Sequence, residues 1–278
     1  MWRRGVLDVS ILSRLKGPGF DWLRDQIRYR RATAKTRRYL DRAASFDPPW
    51  RMINEDENDS PNPLWDFFVN RTRGRSVHKW THYFEIYHRH LERFRNKPIH
   101  LLEIGLDQGG SLDMWRSYFG PTAHYYGVDI EPSCRNYESV DTKVFIGDQA
   151  DRNFWCKFRQ EVPDLDIVID DGGHEPEQQI VSLEELLCHL RPGGVYICED
   201  VHSSENDFAA FAARLSYRLN GCSMTVAPDQ DPTIRTPTDA FQAAVHSMHM
   251  YPFVVVIERN RTPRRELIAR RRPTNRQE

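Results

Sequence analysis

Five residues in the middle of the chain have the types and spacing for cation and proton chemistry: Asp170, Asp171, His174, Glu199 and Asp200. Each acidic pair closes an apolar run, LDIVIDD over 165–171 and GVYICED over 194–200, so the four carboxylates fall on one edge of any sheet these runs form. Packed there without a counter-charge they would repel one another. Oxygen-only carboxylate ligands suit a hard cation such as Mg2+ and leave coordination positions for water or substrate. Neutralisation by solvent or by nearby arginines is the alternative reading of the same cluster. On an extended chain Asp170 points away from Asp171. His174 follows Asp171 by three residues, after Gly172 and Gly173. Imidazole, with an ordinary pKa near 6.5, suits the removal of a proton at neutral pH.

A second polar group precedes these residues. The run IHLLEIG ends in Glu103 and Gly105, and Gly109, Gly110 and Ser111 then open a helix. Glycines let backbone approach a ligand closely, and a helix N-terminus favours a carboxylate or phosphate. The spacing is not G-x-G-x-x-G, which weakens a dinucleotide reading. Asp129 ends the next run 24 residues after Gly105, close to the spacing at which an acidic side chain accepts from ribose hydroxyls. Asp148 and Gln149 end the third run, within reach of an adenine amino group, although Asp148 equally suits a helix cap. Three such sites at successive strand ends describe a nucleoside pocket.

The elements that must hold these residues alternate. Strand-like runs at 99–105, 124–130, 142–148, 165–171, 194–200 and 253–259 are separated by helical stretches expected at 111–119, 151–160, 176–190 and 205–219. Continuous apolar strands with acidic ends imply a Rossmann-like, doubly wound α/β fold: a mostly parallel sheet covered on both faces. Trp80, Phe84, Tyr87, His88 and Leu91 fit a helix over 78–94 with one buried face. Pro192, Gly193 and Gly194 read as the turn into the fifth strand. The expected organisation is an Arg-rich, mostly helical N-terminal extension over 1–75, a catalytic domain over 76–260 and a basic flexible tail over 261–278.

Charge follows this division. The 278 residues sum to −1, yet residues 21–42 carry +5, residues 43–258 carry −15 and residues 259–276 carry +7. Any polyanion site would therefore lie on the ends, and the acidic middle argues against nucleic acid as the substrate. Five cysteines, an odd number without a Cys-x-x-Cys pair, argue against a disulfide framework and a structural zinc site. The opening MWRRGVLDVSILS is interrupted by Asp8 and lacks a small-residue cleavage site, so the sequence expectation is a cytoplasmic protein without a membrane partner.

The motifs E-I-G-x-x-x-G-G-S at 103–111, V-D-I at 128–130, G-D-Q at 147–149, I-D-D-G-G-H at 169–174 and E-D at 199–200 together resemble the class I S-adenosylmethionine-dependent methyltransferases. Within them the chain resembles the metal-dependent O-methyltransferases of macrolide sugars, over roughly residues 76–260. The likeness includes H-K-W-T-H-Y at 78–83 and V-H-S-M-H-M-Y-P-F-V-V-V-I-E-R at 245–259. It implies S-adenosyl-L-methionine and Mg2+ as cofactors. It also implies a methionine site at Gly105, Gly109 and Ser111 with Glu103 in the same motif, ribose and adenine contacts at Asp129, Asp148 and Gln149, and metal ligands Asp171, Glu199 and Asp200. Lys79, His82 and Tyr83 become candidates for the cofactor mouth and His174 for the general base. The family commonly carries D-D-G-S-H, whereas this chain has Gly173 in place of the serine. The implied acceptor is a small molecule or oligosaccharide: a macrolide deoxysugar or a mannose-type chain. An RNA methyltransferase and a non-catalytic S-adenosylmethionine-binding subunit are the competing classes. A homodimer is the base-rate expectation for assembly.

Overall fold

A computed structural model describes residues 37–46, 61–202, 207–221 and 233–270. The chain divides into two compact units, Met1–Asp59 and Ser60–Glu278. In the first unit residues 37–44 are helical with exposed side chains. The Arg-rich helix expected over 21–43 otherwise lies outside the described residues.

The second unit is built on a seven-stranded sheet. Its strands are β1 (His100–Ile104), β2 (His124–Asp129), β3 (Thr142–Ile146), β4 (Leu165–Asp170), β5 (Leu190–Cys198), β7 (Val245–Tyr251) and β8 (Val254–Arg259), in the order β3-β2-β1-β4-β5-β8-β7. The pairs β3·β2, β2·β1, β1·β4 and β4·β5 are parallel, whereas β8 runs antiparallel to both β5 and β7. The helices are α1 (Pro63–Asn70), α2 (Tyr83–Leu91), α3 (Gly110–Phe119), α4 (Arg152–Glu161), α5 (Pro176–Leu186), α6 (Phe208–Leu219) and α7 (Ala240–Ala244). Alternation along each strand feeds two cores. Leu101, Ile167, Ile197 and Val254 pack with side chains of α1, α2 and α3, and Leu102, Val168, Tyr196 and Val255 with those of α4, α5 and α6. This is the expected doubly wound, mostly parallel sheet. Winding reverses between β1 and β4, and in such sheets the crevice at the strands' carboxyl ends beside that reversal is where ligands bind.

Several expectations are corrected. The boundary at 75/76 falls too late, because α1 turns Leu64, Phe67 and Phe68 to one face and seats Leu64, fully buried, in the core. Trp80 and His88 do not share the buried face of α2: Trp80 precedes the helix and is 49% exposed. Pro192–Gly194 lie within β5, where the register against β4 slips between Leu165 and Ile167. The flexible tail expected from residue 261 includes β9 (Glu266–Arg270), which pairs antiparallel with β6 (Thr233–Pro237). Backbone pairing holds it, and its apolar residues Leu267, Ile268 and Ala269 are too few among the surrounding arginines to have signalled a strand. Cys134, Cys156, Cys188 and Cys198 are free thiols. No described helix is long and apolar enough to cross a membrane.

Candidate active site

β1 ends at Ile104 and the chain turns sharply at Gly105, whose φ of +83° is left-handed. A Cβ here would collide with the carbonyl oxygen of Asp171, so β1 and the end of β4 approach as closely as backbone allows. Gly109, with φ +72°, caps α3, and a Cβ on Gly110 would strike the Ser76 carbonyl. These turns open a cavity of about 440 Å3, within the ordinary range of small-molecule sites. Gly105, Asp129, Asp148, Asp171, His174 and Asp200 are among the residues that line it.

The carboxylate of Asp129 accepts the Leu106 and Glu131 backbone N–H groups at 2.8 and 2.9 Å, which fixes its orientation and leaves further lone pairs for a ligand. Asp148 is exposed at the rim and accepts the Ala150 N–H at 2.8 Å, while the cap of α4 is Asp151. Gln149 lines the cavity while its carboxamide donates to Asp170 and Ser182 and accepts from the Gly173 N–H, tying the end of β3 to the loop after β4. Glu103 departs from its expected role. It is fully buried and accepts from Ser111 Oγ at 2.8 Å and Trp115 Nε1 at 3.1 Å, holding the start of α3 from behind. Burial pushes its carboxyl up to about 7 against the pull of Lys79. Ser111 itself lines the cavity.

At the other end of the cavity stand the carboxylates of β4 and β5. Asp170 turns inward as expected, fully buried, accepting from Tyr196 Oη at 2.7 Å; burial raises its carboxyl to about 7. Asp171, Asp200 and His174 turn outward, each offering a ligand atom within 4.8 Å of the others. His174 Nε2 lies 3.5 Å from Asp200 Oδ2 and 3.9 Å from Asp171 Oδ1. Both His174 and Asp200 hold left-handed backbone, at φ +59° and +53°. Glu199 sits behind this group, wholly buried. Its Oε1 accepts from Tyr87 Oη at 2.6 Å and its Oε2 from Lys79 Nζ at 2.8 Å.

Lys79 is therefore more than a lining residue. Its side chain is 3% exposed, and its ammonium bridges Asp171 and Glu199. Burial opposes its charge, but Asp171, Glu199 and Glu103 more than offset this and hold its pKa above the ordinary lysine range. Tyr83 Oη donates to Asp200 Oδ1 at 2.7 Å, and Trp80 Nε1 donates to the same oxygen at 3.0 Å. Sequence reasoning missed the Lys79 bridge and Tyr87 because their partners lie 92 to 120 residues away. The Tyr83–Tyr87 spacing of four was the available signal, since it places both hydroxyls on one face of α2.

The donor set fits a divalent cation. Three carboxylates, Asp171, Glu199 and Asp200, gather where Lys79 supplies a single ammonium to Asp171 and Glu199, and burial pushes the Glu199 carboxyl up against the pull of Lys79. Two of the three outward-facing donors, Asp171 and Asp200, are carboxylates, as a hard cation prefers. The cavity fits a nucleoside with an aminoacyl group through its glycine-walled floor and strand-end carboxylates. Gly173, where the family commonly has serine, packs against Gln178: a Cβ there would meet its carboxamide, which accepts the Glu175 N–H at the start of α5.

No protein-family model matches the chain. It is similar to the mycinamicin VI 2''-O-methyltransferase of Micromonospora griseorubida, 37% identical over 122 residues, which are 41% of this chain and 30% of that protein. It is also similar to the 8-demethyl-8-(2-methoxy-alpha-L-rhamnosyl)-tetracenomycin-C 3'-O-methyltransferase of Streptomyces olivaceus, 35% identical over 129 residues, 44% of this chain and 33% of that protein. Among solved structures it resembles the MycE methyltransferase of the mycinamycin biosynthetic pathway in complex with Mg and SAH. That likeness has a TM-score of 0.57 and 26% identity, and covers 72% of this chain and 54% of that one. The chain thus spans about a third of the length of the curated relatives it matches. The fold is that of the class I methyltransferases.

Proposed function

We propose that the chain is an O-methyltransferase that uses S-adenosyl-L-methionine and Mg2+ to methylate a sugar hydroxyl of a small-molecule or oligosaccharide acceptor, in the cytoplasm and as a homodimer. The observation that carries this reading is the convergence of His174 on Asp171 and Asp200 at the mouth of a nucleoside-sized cavity. The relatives support it, being named as O-methyltransferases of mycinamicin VI and of a rhamnosyl tetracenomycin.

Bound S-adenosylmethionine would supply the methyl group, and Mg2+ a charge that orients the acceptor hydroxyl and lowers its pKa. Gly105 lines the cavity where the methionine portion would sit, with Gly109 shaping the turn behind it as the cap of α3, Asp129 accepts from the ribose hydroxyls, and Asp148 accepts from the adenine amino group. Asp171 and Asp200 would hold the metal from the cavity side, with Glu199 as the third carboxylate behind them. Glu103 keeps Ser111 and the first turn of α3 in place. His174 Nε2 would take the proton of the acceptor hydroxyl, the oxygen to which bound S-adenosylmethionine would supply its methyl group. Tyr83 and Trp80 hold Asp200, whose other oxygen faces His174 and stabilises the imidazolium that results.

His174→Ala tests the assignment. A general base contributes about 10²–10⁴-fold, so turnover is expected to fall by that factor while the affinity for S-adenosylhomocysteine, measured by calorimetry, stays within twofold. Full turnover in the variant would remove His174 from the reaction.

A further inference from the structure

We propose that Trp80 is the acceptor platform, its indole face stacking on the apolar C–H face of the sugar ring whose hydroxyl is presented to His174; the acceptor class in this inference rests on the function proposed above. Asp200 places the two side chains. Its Oδ1 accepts from Trp80 Nε1 at 3.0 Å and its Oδ2 lies 3.5 Å from His174 Nε2, so indole and imidazole flank a single carboxylate. A hydroxyl held at His174 therefore brings its own ring to the indole.

The indole is 49% exposed, an unusual state for tryptophan, yet it is firmly held. Its nitrogen is tied to Asp200, and its ring packs on Phe253 with centroids 5.3 Å apart. Phe253 is itself braced by His202 at 4.3 Å and takes left-handed backbone at φ +62°. A bulky side chain seldom takes that conformation, and residues held this way cluster at functional sites. The Phe253 carbonyl accepts the Val201 N–H at 2.9 Å, which locks this turn to the end of β5. The result is a rigid, water-facing aromatic surface beside the reacting groups. Aromatic faces of this kind bind ligands that pair an apolar face with polar edges, and a pyranose ring has that form.

The probe is methyl α-L-rhamnopyranoside, added to the full-length protein loaded with S-adenosylhomocysteine and Mg2+ and read by saturation-transfer NMR. The expected result is transfer to the ring C–H protons in the parent, at least half of it retained in Trp80→Phe, and a drop of more than fivefold in Trp80→Ala with S-adenosylhomocysteine affinity within twofold. Trp80→Phe keeps a ring and loses the bond to Asp200, so equal losses in both variants would show that the bond, rather than stacking, matters and would overturn the proposal. Undiminished transfer in Trp80→Ala, or no transfer in the parent, would overturn it too. Should Trp80→Ala fail to fold, the parent labelled with 5-fluorotryptophan serves instead. The 19F resonance assigned through Trp80→Phe is expected to shift on rhamnoside titration, and an unmoved resonance overturns the proposal. Methyl transfer from labelled S-adenosylmethionine is measured separately. A Trp80 resonance that responds to the rhamnoside without any methyl transfer supports the platform and contradicts the enzymatic reading, whereas transfer with an unchanged acceptor KM in Trp80→Ala overturns the platform alone.

Discussion

Burying Glu199 completely is tolerable only because Lys79 and Tyr87 both donate to it. Replacing Lys79 with methionine keeps the length and removes the charge, which leaves Glu199 buried without its cation. Breaking a buried pair in this way typically costs about 3–5 kcal/mol. Lys79→Met is therefore expected to unfold at a clearly lower temperature than the parent, and Mg2+ is expected to recover part of the difference by replacing the lost charge; a variant as stable as the parent in chelator would contradict this electrostatic account. Asp129, Asp171, Asp200 and His174 were legible from the chain because they follow apolar runs at strand ends. Gln149 and Glu103 carried the same signal, yet one ties two loops together and the other supports α3. What separates the two groups is burial, which a strand-end position does not reveal.

At the scale of elements, the close approach of β1 to β4 depends on Gly105. Alanine there meets both a left-handed φ and the Asp171 carbonyl, so Gly105→Ala must push apart the strand ends that carry the site. The expected outcome is a loss of S-adenosylhomocysteine affinity of at least tenfold together with a lower unfolding temperature; unchanged calorimetric binding would show that the turn has slack. On the opposite side of the unit, α2 is clamped to β8 by Glu258, which accepts from His90 Nδ1 at 2.7 Å and pairs with Arg93. The His90 bond and then Arg93 outweigh burial and hold the Glu258 carboxyl down at about 2, from an ordinary 4.5. A depressed carboxyl stabilises the fold fully above its unfolded value and loses that contribution as pH falls toward its folded one. The thermal-stability advantage of the parent over Glu258→Gln is thus expected to be constant above about pH 5 and to shrink as pH drops from about 4.5 toward 2. An advantage that grows on acidification would refute the clamp. The strands β1 to β5 and β8 were readable as apolar runs, but β7, with the sequence VHSMHMY, mixes polar and apolar side chains, and α1 is only eight residues long beside prolines.

For the whole molecule, the order β3-β2-β1-β4-β5-β8-β7 brings the ends of β1, β2, β3, β4 and β5 to one edge, where Asp129, Asp148, Asp171 and Asp200 line the cavity proposed for the nucleoside and the cation. The parallel order followed from the alternating pattern, whereas the antiparallel pairing of β8 and the β6·β9 ribbon depend on long-range contacts that no local spacing encodes. Of the basic ends, Arg259 has a structural use, donating to the Leu190 carbonyl. The central claim is metal-dependent methyl transfer to a sugar, and the most direct measurement is transfer of label from methyl-labelled S-adenosylmethionine to a panel of rhamnosides, mannosides and macrolide glycosides, with Mg2+ and with chelator. The account predicts label on a sugar oxygen that requires the divalent ion and is lost in Asp171→Asn. Transfer undiminished by chelator, or label absent from every sugar while the protein binds S-adenosylmethionine, would contradict it.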